Sequence, residues 1–86
     1  MCLVYAICKA NEGGLKGDKE RLNKSGIKIG DKIRVLEANV SSWYTDVYLE
    51  GYEGKFNSIF FDYVDKDGKP YNIYRKPGFY EFYKEI

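Results

Sequence analysis

Histidine is absent from this chain, and its absence removes the commonest general base and a principal zinc ligand. Acid–base work would fall to carboxylates, Lys, Tyr or Cys. Cysteine is nearly absent too, occurring only as Cys2 and Cys8. Two thiols without a His do not make a zinc site. In an extended strand the two would share a face but sit roughly 20 Å apart, at about 3.3 Å per residue. A disulfide needs Cα atoms within about 7 Å. Both cysteines are therefore expected as free, small core hydrophobes, with no His to activate either as a nucleophile.

Long apolar runs are missing as well. No stretch approaches the 18 or so residues of a membrane helix. The apolar segment Cys2–Cys8 has no basic leader and no small-residue cleavage site, so a signal peptide is not expected. The expected location is the cytoplasm, with no membrane partner. Charge of one sign is also lacking: 14 basic residues face 13 acidic ones, a net of +1. That balance gives no global signal for nucleic acid or lipid.

Aromatic residues, by contrast, are abundant at 17%. Fourteen of the fifteen lie at or after Trp43, so the second half is expected to supply most of the core. Eighty-six residues make one domain, 1–86. A chain of this size buries roughly 60% of the surface its unfolded form exposes.

The hydrophobic pattern is that of short strands. Cys2–Cys8 is apolar on both faces and reads as a covered strand. Residues 9–29 form a long polar connection in which 17–22 can make one helical turn. After the Gly30-Asp31 turn, Ile33 and Val35 alternate with Lys32 and Arg34. Ser41-Ser42 is a turn, and Val47 and Leu49 then alternate with Asp46, Tyr48 and Glu50. Residues 51–54 connect to a strand at 58–64, with Ile59, Phe61 and Tyr63 on one face. Asp65-Lys-Asp-Gly68 is a hairpin signal. Tyr71–Tyr74 reads as a short strand, Pro77-Gly78 ends it, and 79–83 closes the chain as a strand or an aromatic plug. The fold expected is mainly β: a small barrel of about five or six antiparallel strands with a long N-terminal loop.

Ile29-Gly-Asp-Lys-Ile-Arg-Val-Leu resembles the opening of many small SH3-like barrels. The series Asp46-Val-Tyr-Leu-Glu-Gly-Tyr, Phe56-Asn-Ser-Ile-Phe-Phe-Asp-Tyr and Ile73-Tyr resembles a group of small bacteriophage and prophage proteins. The likeness spans about residues 27–83. It implies an SH3-like barrel and an accessory role for a phage or mobile element in the bacterial cytoplasm.

No catalytic constellation emerges. Asp62, Asp65 and Asp67 surround a Gly turn but lack the spacing and bidentate Glu of a calcium loop. No metal and no cofactor is expected. Asn57 and Ser58 have the side chains to tie a loop as it enters a strand. Two aromatic groups stand out. Trp43, Tyr44, Tyr48 and Tyr52 form either an exposed protein-binding patch or rings covered by the curl of the barrel. Arg75 and Lys76, with Phe79 and Tyr80, form either a phosphate- or base-binding turn or a charged hairpin end. The leading expectation is a non-enzymatic protein that binds and blocks a host protein as a defence component. The alternatives are sequestration of a nucleotide signal and, less favoured by near-neutral charge, a nucleic-acid module.

Overall fold

The computed structural model describes residues 3–12, 17–74 and 76–82. Its organising element is a long strand with two sets of neighbours. The strands and helix run, in chain order, β1 (Val4–Cys8), α1 (Asp18–Ser25), β2 (Lys32–Val40), β3 (Thr45–Leu49), β4 (Phe56–Asn57), β5 (Phe61–Asp65) and β6 (Gly78–Glu81). A 3₁₀ turn, Ser58–Phe60, separates β4 from β5. All pairings are antiparallel, in the order β4-β3-β2-β1-β5, with β6 also pairing β2.

The first residues of β2 pair with β1, placing Ile33 opposite Ala6. Its later residues pair with β3, from Val35↔Leu49 to Val40↔Thr45, and with β6, from Glu37↔Glu81 to Val40↔Gly78. The register shifts between Val35 and Glu37, where Leu36 is an extra residue in β2. Such a bulge bends a strand and increases its twist. It also resets the alternation, so that Val35, Ala38 and Val40 all point inward. The Leu36 carbonyl accepts from Phe82 N at 2.7 Å, which ties the chain end to the bulge. Among the described residues the ladder does not close on itself. The expected closed barrel is therefore corrected to an open, six-stranded antiparallel sheet.

The core gathers Val4, Ala6 and Cys8 from β1, Val35 and Ala38 from β2, Val47 and Leu49 from β3, and the rings of Phe56, Phe60, Phe61, Tyr63 and Phe82. Each large side chain removed from water contributes about 1.5–3 kcal/mol. The long connection is more structured than its sequence suggested. α1 lays one apolar residue, Leu22, into the core, and Ile27 follows it. Gly26 ends the helix at φ 85°, a left-handed conformation that glycine adopts without a Cβ penalty.

Two further expectations are corrected. Residues 71–74 form no strand. Pro70 makes an isolated bridge with Val64, and Ile73 is buried from irregular backbone. Ile59 does not join the core with Phe61, because the 3₁₀ turn rotates it outward and Phe60 takes the inner place. The Asp65–Gly68 turn of the expected hairpin forms, followed only by the isolated bridge at Pro70. The Asp65 carboxylate accepts from Asp67 N and Lys69 N, and Gly68 sits at φ 82°. Cys8 is buried and free; Cys2 lies outside the described residues. Among the described residues, no helix is long and apolar enough to cross a membrane.

Candidate binding surface

The turn from β2 to β3 is built by one side chain. Ser41 Oγ donates to the Tyr44 carbonyl at 2.6 Å and accepts from Tyr44 N at 3.1 Å and Trp43 N at 3.4 Å. Ser41 N donates to the same carbonyl. These local bonds engage the amides of Ser41, Trp43 and Tyr44 from within the turn itself. They hold Trp43 outward, 91% exposed, with Tyr44 beside it.

A second wall comes from the step between β4 and β5. Asn57 Oδ1 accepts from Ile59 N at 3.1 Å and so caps the 3₁₀ turn. Asn57 Nδ2 donates to Asp18 Oδ2 at 2.9 Å, which anchors the step to the start of α1. Tyr63 OH donates to the Ser58 carbonyl, and Tyr74 OH donates to Ser58 Oγ at 3.0 Å. Tyr74 thereby stands edge-on to the Tyr63 ring, with its own ring half in solvent. Burial, with Tyr74 and Asp62 close by, pushes the Tyr63 phenol well above its usual range, so it remains a neutral donor.

Between these walls lies a groove of about 490 Å³, lined by residues 40–45 on one side and by Asn57, Ser58, Ile59 and Tyr74 on the other. Trp43, Tyr44, Ile59 and Tyr74 are four of the six large hydrophobic residues exposed on the described surface. Their convergence is what marks the groove, since scattered exposed apolar residues carry no such meaning. No charged residue lines it. Its polar names are also misleading. Ser41, Asn57 and the Tyr74 hydroxyl are already engaged within the protein. The surface on offer is mostly aromatic and aliphatic.

A family model described as Bacteriophage T4 protein Y07B matches residues 3–85. The chain belongs to this family. The match supports the phage resemblance read from residues 27–83 and carries it back through α1 and β1. No curated protein and no solved structure matches the chain.

The residues singled out from the sequence divide among several places. Trp43 and Tyr44 form the groove. Tyr48 packs edge-on to Phe79, at 6.4 Å between ring centres, on the outer face of β3 and β6. Tyr52 is half-buried, packed edge-on to Phe56 in the core. Its other side borders a separate, charged depression with Glu20, Arg21 and Lys24. Tyr80 is also half-buried, and its hydroxyl donates to the Lys76 carbonyl at 2.6 Å, a turn-stabilising role. Arg75 lies outside the described residues. Ile59 and Tyr74 belong to the groove but were not among the expected site residues. The sequence signal for Ile59 was Asn57, an Asx cap two residues earlier that breaks the strand alternation. Tyr74 had no local signal, because Ser58, its partner, is sixteen residues away.

Proposed function

We propose that this phage protein is a non-catalytic binding protein that blocks a host protein in the bacterial cytoplasm. In this reading it docks through the Trp43 groove and serves the phage as a component of the contest with host defence. The observation that carries the reading is the groove itself. Four exposed large hydrophobic residues surround a depression with no formal charge, in which Ser41, Asn57 and the Tyr74 hydroxyl are engaged within the protein. Aromatic anchors around a desolvated pocket are the usual composition of a protein-interface hot spot. The Ser41 turn adds pre-organisation of the backbone, because the amides of Trp43 and Tyr44 are already fixed before binding. The bent β2, shared by both parts of the sheet, supports reading the fold as an opened relative of the SH3-like barrel.

A nucleotide-binding reading finds less support in this groove, since a phosphate would meet no cation among the residues that line it. The test is affinity capture of a host protein by the wild-type chain, by Trp43→Ala and by Lys76→Ala, followed by an activity assay of the captured protein. The expected result is capture and inhibition with wild type and Lys76→Ala, both lost with Trp43→Ala. Capture that survives Trp43→Ala, or a large melting shift with a nucleotide, would overturn the reading.

A further inference from the structure

Tyr74 lines not one groove but two. On its far side lies a second depression of about 470 Å³, bordered by Ile7 from β1, Val64 from β5, and Pro70 and Tyr71 from the connection that follows. The only charged residues lining it are Lys9 and Asp62, and these neutralise each other in an ion pair at 3.0 Å. Pro70 presents no N–H there, and Tyr71 N is already bonded to the Tyr63 carbonyl. Two grooves of nearly equal size, both without net charge, thus flank a single aromatic ridge.

The geometry points to one continuous site that takes an extended, uncharged segment of a protein partner, with an apolar side chain in each groove and its backbone crossing Tyr74. This inference rests on the proposed protein-binding function and specifies the kind of partner. Charge complementarity selects the occupant. A Lys, Arg, Asp or Glu placed in either groove would lose water and find no free counter-charge, which is costly. An extended chain suits a ridge between two hollows because alternate side chains point the same way, about 6.6–6.8 Å apart. A compact apolar knob would fill one groove and leave the other open.

The probe is a set of synthetic octapeptides of Gly and Ser carrying two Leu residues at separations of one to five. Controls replace one Leu by Ser, or both by Lys or Glu. Amide chemical shifts of the intact chain report binding, with Ile59 marking the first groove and Tyr71 the second. We expect shifts at both markers, one preferred Leu separation, and at least tenfold weaker binding when either Leu becomes Ser. Lys and Glu peptides should bind at least tenfold more weakly still. Tyr74→Ala should abolish the preference for one separation. Shifts confined to Ile59 and its neighbours, indifferent to separation, would overturn the two-groove site and leave the single-groove function standing. Equal binding by the Lys or Glu peptides would overturn the neutral-partner assignment. No shift at either marker with any Leu peptide, together with capture that survives Trp43→Ala, would overturn both.

Discussion

Ile59 and Phe60 are neighbours in the chain, both strongly apolar, yet one is 45% exposed and the other 0%. The same contrast separates Trp43, at 91%, from Val47 four residues later, at 0%. Hydrophobicity alone would bury all four. What divides them is hydrogen bonding at two loops: Asn57 starts a 3₁₀ turn that rotates Ile59 out, and Ser41 locks a turn that aims Trp43 at solvent. The inner aromatic cluster holds the fold. The outer wall is set by local hydrogen bonds, and of its residues Tyr74 is tied back to Ser58 and Tyr63.

That division can be broken by mutation. The largest effect is expected at Phe60. Phe60→Ala leaves a cavity behind the 3₁₀ turn and should cost about 3–5 kcal/mol in chemical denaturation. A loss under about 1 kcal/mol would remove Phe60 from the inner set. Next comes Asn57→Ala, which deletes both the cap on Ile59 N and the tie to Asp18. A loss of about 1–2 kcal/mol is expected, with a chemical-shift change at Ile59 as the wall relaxes. An unchanged Ile59 would show that Asn57 does not set its direction.

Tyr63→Phe removes a buried hydroxyl from the Ser58 carbonyl and should cost about 1 kcal/mol. It also provides a test in pH. Burial, then Tyr74 and Asp62, raise the native phenol above its unfolded value, near 10. The unfolded chain therefore gives up this proton more readily than the folded one. Stability from this group is present below about pH 10 and is lost as pH climbs through the native pKa. Melting profiles from pH 8 to 11 should show an alkaline decline that is shallower in Tyr63→Phe. The smallest effect on stability is expected at Trp43: Trp43→Ala should change it by no more than about 0.5 kcal/mol while removing partner binding. A loss of several kcal/mol would mean that Trp43 belongs with the inner cluster.

The sequence was legible where structure is set by neighbours. The Asp65–Gly68 turn depends on a carboxylate reaching amides two and four residues on, and Val47 and Leu49 both face the core as their alternation predicts, although Asp46, next to Val47 in β3, is buried too. It was less legible where distant parts decide. The bulge at Leu36 is fixed by pairing with β3 and by Phe82, forty-six positions later, and it extends β2 well beyond the Lys32–Val35 pattern. The burial of Leu22 has no sustained amphipathic pattern around it, because the surface it covers comes from elsewhere in the chain. The site divided the same way. Trp43 and Tyr44 adjoin a recognisable serine turn, whereas Tyr74 reaches the groove only through its bond to Ser58. Tyr52 and Tyr80 carried the same aromatic signal as Trp43 but pack against the core.

The Ser41 turn has a consequence for how this family can change over time. Its bonds run from one serine to backbone atoms of residues 43 and 44, and none depends on which side chains stand at 42 and 43. Those two positions can mutate without disturbing the architecture beneath them. If the proposed docking function holds, a phage whose target drifts can revise the tip of this protein one residue at a time, with foldability left intact at each step.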